Sequence, residues 1–248
     1  MTEPKATTMD HALGFSPEVR ANALVEALPY IQKFSGKVIL VKMGGSALVD
    51  EELFSKFAQD IVLLDSIGIK PVVVHGGGPQ IGQYLEEIGK ESVFVDGLRV
   101  TDEETLTAVR EVLVHQVGGK MVEAINTYGG AATSLTGEND GLLTVEPKDE
   151  RLGLVGEVTG VNPEIIFQLL AKGKIPVIST IGQNNEGQAF NINADTAAGA
   201  IAGALCAEKA MYLSDVPGVL IDKSDPSSIL SAVEFKDLFE MIENEVIS

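Results

Sequence analysis

Four short runs rich in valine and isoleucine leave this chain few architectures. KVILVK (37–42), KPVVVH (70–75), KIPVIS (174–179) and AMYLSD (210–215) are apolar with little alternation, and each runs into a polar or glycine-containing loop. Such runs are the pattern of parallel strands buried on both faces. Between them, EELFSKFAQDIVLLDSIG, PQIGQYLEEIG, DEETLTAVREVLVHQVGGKMVEAINTYG and PEIIFQLLAKG carry helical spacing and mostly close near glycine. The alternation predicts an α/β fold, an open and mostly parallel central sheet sandwiched by helices on both faces. RLGLVGEVTGV (151–161) breaks the rhythm and predicts a twisted hairpin instead. The 248 residues allow one large α/β domain or two small ones, and a 45% hydrophobic content supports a sizeable core, with disorder confined to the first dozen residues.

Charge narrows the possible ligands. With 36 acidic against 18 basic residues the net charge is -18, the wrong sign for binding nucleic acid or an anionic membrane. Any phosphate must therefore be held by a few local donors. The single cysteine, Cys206, excludes an intrachain disulfide and fits a reducing cytoplasm; its small-residue surroundings, AGAIAGALCAEK, predict a core position. No run is long enough to span a membrane, and the start lacks the order of a signal peptide. A cytoplasmic location is the expectation.

A strand that delivers its last residue into glycines and then a helix occurs at VILVKMGGSAL and VVVHGGGPQIG, and more loosely at LSDVPGV. Glycines let the backbone approach a ligand closely, and the helix start offers unpaired N–H groups to an anion. In a parallel sheet these loops gather at the carboxyl ends of the strands. A phosphate or carboxylate ligand follows. The Walker spacing is absent, since GGKM (118–121) lacks both the upstream glycine and the hydroxyl. Residues 72–96 also mimic a dinucleotide fingerprint, with a G-x-G-x-x-x-G loop and a second strand ending on Asp96. An NAD(P)-dependent oxidoreductase is thus an alternative, although it leaves the Lys42 loop idle. A non-catalytic binding or assembly protein is a third class.

Taken in order, VKMGGSAL, VVHGGGPQI, DGLRVTDEET, GLVGEVTGVNPEII, PVISTIG, FNINADTAAGAIAGAL and LSDVPGVL resemble the amino acid kinase family over about residues 20–248. GLRVTD beside NINAD resembles the branch that phosphorylates N-acetyl-L-glutamate. The resemblance implies ATP-dependent transfer of a γ-phosphoryl group to that substrate's side-chain carboxylate, in arginine biosynthesis. It also implies Mg²⁺ carried mainly on the ATP phosphates, with no protein metal site; His11, His75 and His115 are scattered.

By the same resemblance, Lys42 reaches the phosphoryl group in flight, Gly44 and Gly45 bind its oxygens through their amides, and Asp195 aligns the lysine. Taken alone, Lys42 reads as a strand-end lysine reaching for water, and Asp195 as a helix N-cap. Arg99 offers a planar fork for the acceptor's carboxylate; its bland reading is a surface ion pair with Asp102 or Glu103. Gly77 and Gly78 lend backbone contacts to the acceptor, and Asn191 a donor and an acceptor. Ser214, Asp215, Pro217 and Gly218 are expected on the nucleotide side. His75 is expected to pack or hydrogen-bond at its strand end.

The implied organisation is an N-terminal arm (1–35), an acceptor lobe (36–190) and a nucleotide lobe (191–248). SPEVRANALVEALPYIQKF (16–34) opens on a serine cap and a proline and is amphipathic, with Pro29 expected to bend it. The resemblance to the family implies that such an arm serves a homo-oligomer, dimer or hexamer, with arginine as inhibitor. The family implies a Gly-Gly-Met segment and a second catalytic lysine beyond DLFEMIENEVIS. Their absence from these 248 residues predicts a weak or inactive kinase.

Overall fold

The computed structural model describes residues 15–44, 48–214, 218–222 and 224–244. Its centre is a parallel sheet of five strands in the order β11-β1-β2-β8-β5. The strands are β1 (Val38–Met43), β2 (Lys70–His75), β5 (Ala132–Thr136), β8 (Ile175–Ser179) and β11 (Lys209–Leu213). Four of these are the apolar runs of the sequence. β5 is the addition, because ATSLT carries too many hydroxyls to read as a buried strand.

Alternation along the strands divides the core between two faces. Ile39, Val41 and Met43 of β1 pack with Val73 and with α2 (Glu51–Ser66), α3 (Gly78–Glu87), α4 (Glu103–Arg110) and α5 (Gly119–Thr127). Leu40, Val72 and Val74 face the other way, against α6 (Glu164–Ala171) and α7 (Ala194–Ala204). α4 and α5 are joined without a break by a π-helical segment, Glu111–Gly118. Wide turns of this length are rare and recur at functional sites.

Four short strands close into a small barrel on the second face: β6 (Leu143–Pro147), β7 (Val155–Val161), β9 (Ile181–Gln183) and β10 (Ala189–Ile192). The expected hairpin within 151–161 is corrected here. That stretch supplies only β7, and its antiparallel partner is β6, with a bulge between Thr144 and Val145. β3 (Phe94–Val95) and β4 (Leu98–Arg99) form a separate hairpin. Its turn places Asp96 and Gly97 at φ 49° and 78°, the left-handed conformation that tight hairpins require.

That hairpin removes the dinucleotide alternative. The strand after α3 does not join the parallel sheet, and Asp96 pairs with Arg151 at 3.0 Å, outside the cleft-lining residues. Cys206 is also corrected. It lies past the end of α7, exposed, at φ 45°, the left-handed position at which helices commonly stop. At the other end, α1 (Pro17–Phe34) is capped by Ser16 and runs through Pro29 with no buried residue. No helix among the described residues is long and apolar enough to cross a membrane.

Candidate active site

Strand periodicity decides where Lys42 points. Leu40 packs on the α7 side with Ala197, Ala198 and Ile201, so Lys42, two residues on, emerges on that same face at the strand end. There its Nζ meets Asp195 Oδ1 at 2.7 Å, with the lysine side chain 12% and the aspartate 59% exposed. Asp195 is free for this pairing because it is not the N-cap. Asn193 caps α7, accepting from the amides of Asp195 (2.9 Å) and Thr196 (3.1 Å), and so places Asp195 in the first turn. That position also lets its charge complement the helix dipole.

A cleft of about 260 Å³ opens over this pair, a size suited to a small metabolite more than to a drug-sized ligand of ~300–1,000 Å³. Its lining includes Lys42, Gly76, Gly77, Gly78, Arg99, Leu113, Thr180, Asn191 and Asp195. The six residues expected for catalysis and acceptor binding therefore share one cavity. The starts of α3 and α7 both border it, adding backbone dipoles that favour an anion.

Arg99 is built in from three sides. Its Nη2 donates to the Gly78 carbonyl at 2.9 Å, its Nη1 to Ser92 Oγ, and its guanidinium stacks 4.7 Å from the Phe94 ring centre. Partial burial draws its pKa below the ordinary arginine value. The surface pairing with Asp102 is not formed. Asp102 instead caps α4 through the Thr105 amide and binds Lys90 at 2.7 Å. Behind Arg99, the wholly buried Thr101 donates to the Arg99 carbonyl (2.9 Å) and accepts from Asn191 Nδ2 (3.3 Å). The two polar groups proposed for the acceptor are thereby linked through one buried hydroxyl.

The glycines divide by environment. A Cβ on Gly77 would lie 2.7 Å from Leu113 Cδ2, so only glycine fits there without displacement. A Cβ on Gly44 would lie 3.7 Å from Lys42 Nζ and 3.2 Å from the Leu213 carbonyl. The Gly44 amide, however, already donates to that carbonyl at 3.2 Å. The expectation of a free phosphate donor at Gly44 is corrected, because its amide is taken by Leu213. Ser214 and Gly218 do not line the cleft. Gly218 adopts φ 150° and packs near Ile229. Gly45, Asp215 and Pro217 lie outside the described residues. No periodicity marks Thr101, Ser92 and Phe94; their only sign in the sequence is that they share the contiguous run SVFVDGLRVTD with Arg99.

Residues 37–248 match the model of the amino acid kinase family. This chain belongs to that family. Among its relatives, the acetylglutamate kinase of Desulfitobacterium hafniense is 46% identical over 92% of this chain and 81% of its own length. The chloroplastic acetylglutamate kinase of Arabidopsis thaliana is also 46% identical, over 92% of this chain and 67% of its own. In structure, the smu.665 protein of Streptococcus mutans aligns with a TM-score of 0.75 at 30% identity, covering 85% of this chain and 84% of that one. Giardia carbamate kinase, at 16% identity and a TM-score of 0.64 over 86% and 85% of the two chains, shares the fold.

Proposed function

We propose that this chain transfers the γ-phosphoryl group of ATP to the side-chain carboxylate of N-acetyl-L-glutamate, yielding an acyl phosphate for arginine biosynthesis. The observation that carries the reading is the placement of two fixed cations, Lys42 and Arg99, with Asn191 in one anion-sized cleft. Relatives at 44–46% identity that bear the name acetylglutamate kinase narrow the acceptor.

A carboxylate is ionised at neutral pH and needs no general base. Its oxygen forms the new bond to the γ-phosphorus as the bond to the β–γ bridging oxygen breaks, and ADP leaves with that electron pair. The difficulty is repulsion between two anions, so catalysis is positioning and charge stabilisation. Lys42, aligned by Asp195, faces the transferring group. Arg99 and Asn191, braced through Thr101, hold the acceptor's carboxylate and amide, with the backbone of Gly77 and Gly78 beside them.

Asp195 is the one carboxylate among the described residues that line the cleft, and Lys42 takes one of its oxygens. A lone carboxylate suits a Mg²⁺ that arrives on ATP with its own phosphate and water ligands. When bound, the ion would neutralise phosphate charge. We place the nucleotide on the side of Ser214, Asp215, Pro217 and Gly218, in a lobe of residues 191–248 facing an acceptor lobe of 36–190. The exposed apolar residues of α1 support a homo-oligomer, and arginine inhibition and a cytoplasmic setting complete the reading.

Trapping with hydroxylamine tests it. ATP, Mg²⁺ and N-acetyl-L-glutamate should yield ADP and an equal amount of hydroxamate. ADP without hydroxamate would contradict the reading.

A further inference from the structure

His75 ends β2 on the face that meets the π-helical segment, and the chemistry above gives it no task. It is wholly buried, directly across the sheet from Ser179 of β8. Its Nδ1 lies 3.1 Å from the Gly76 carbonyl and its Nε2 3.0 Å from Ser179 Oγ. Ser179 Oγ also lies 3.1 Å from the Leu113 carbonyl, to which it can donate. Gly118, one turn further along the wide helix, supplies the opening for this contact. A Cβ there would lie 2.9 Å from the Leu113 carbonyl and 3.2 Å from both His75 Nε2 and Ser179 Oγ.

The three contacts join two parts of the cleft. Gly76 and Leu113 both line it, and the Leu113 side chain presses against Gly77, where it leaves no room for a Cβ. Hydrogen counting shows why the contacts are coupled. A neutral imidazole and a hydroxyl carry two hydrogens between them, whereas the three contacts need three. Burial pushes the His75 imidazole down to about 4, so the neutral form prevails near neutral pH. Either Nδ1–H holds the Gly76 carbonyl while Ser179 donates to Nε2, or Nε2–H donates to Ser179 while Ser179 holds the Leu113 carbonyl.

We propose that His75 and Ser179 are positioning residues that clamp the Gly76–Gly78 loop and Leu113 to each other, fixing the floor of the acceptor site. The proposal rests on the assignment of N-acetyl-L-glutamate to this cleft. Two replacements separate the links. His75→Asn keeps an amide at the δ position, within reach of Gly76, and His75→Gln keeps one at the ε position, within reach of Ser179.

The test combines steady-state kinetics with amide hydrogen exchange on the ligand-free protein, thermal melting serving to establish folding. Loss of one ordinary hydrogen bond corresponds to about 3- to 10-fold. His75→Gln should raise the N-acetyl-L-glutamate KM by about tenfold and Ser179→Ala by about threefold, with the ATP KM within about twofold. His75→Asn should stay within about threefold of the parent. Exchange should quicken at residues 76–82 in His75→Gln and at 111–118 in Ser179→Ala. The proposal is overturned if both KM values rise together in proportion to a fall in melting temperature, or if KM and exchange stay at parent values. Should the parent release no ADP with N-acetyl-L-glutamate, the functional reading fails, and the exchange pattern alone decides the clamp.

Discussion

β1 and β11 lie side by side, in register from Ile39 with Lys209 to Met43 with Leu213, yet their surroundings are opposite. Ile39, Leu40 and Val41 are closed off on both faces, whereas Met211 is 42% and Tyr212 45% exposed. The contrast extends outward from the strands. Lys42 rests on the buried strand β1, and Arg99 and Asn191 on the buried Thr101, while α8 (Phe235–Glu243), beyond β11, has no buried residue. Packing shapes the cleft around Lys42 and Arg99 before any ligand arrives. On the other side, surface contacts carry the structure. Single changes should therefore cost most around Lys42 and Arg99, and least along β11 and the outer loops.

The largest effect expected is that of Lys42→Ala. Removing a donor that meets charge developing in the transition state costs about 10²–10³ in kcat, and single-turnover phosphoryl transfer measures it. A loss below tenfold would move the centre of the chemistry away from β1. Arg99→Lys comes next. It keeps the charge but gives up the fork and the stacking on Phe94, which should raise the N-acetyl-L-glutamate KM by roughly 10- to 100-fold and leave that of ATP within about twofold. Equal rises in both would erase the distinction between the two sides.

On β11 the change should be small. Tyr212 donates to the Asp195 backbone carbonyl at 3.3 Å, and burial, with the Asp195 charge second, raises its phenol above the ordinary value. Tyr212→Phe should lower kcat by no more than about threefold, the worth of one exposed hydrogen bond. The smallest effect is one of stability. The Lys90 ammonium, followed by the Thr105 amide, lowers Asp102 to about 2 from 3.8. A depressed carboxyl stabilises the fold above its unfolded value, and that contribution is lost as pH falls from about 4 towards 2. Asp102→Asn keeps the cap and loses the charge. It should cost about 0.5 kcal/mol at pH 7, about 1–2 °C in Tm, because the pair is exposed. Near pH 2 the two proteins should melt alike.

Much of the deeper side was legible in the sequence because burial leaves a pattern. Strand period alone puts Lys42 on the face of Leu40, and NINAD before a small-residue helix puts Asp195 at a helix start. What failed to register had no such period. Residues 111–118 keep the apolar spacing of an ordinary helix, so the widened turns show only in backbone geometry and in the gap at Gly118. β9 and β10 span three and four residues, too short for alternation to identify them. ATSLT reads as polar although Ala132 and Leu135 are buried, one in each core, with no alternation to mark them. Asn193 and Asp195 both suit an N-cap, and the amide contacts of Asn193 together with the Lys42 contact of Asp195 distinguish their roles.

The most direct test of a preassembled acceptor side is calorimetric titration of the nucleotide-free protein with N-acetyl-L-glutamate. The account predicts saturable binding without ATP that weakens by more than about tenfold in Arg99→Ala. Binding that appears only when ATP is present, or that is unchanged in Arg99→Ala, would contradict it.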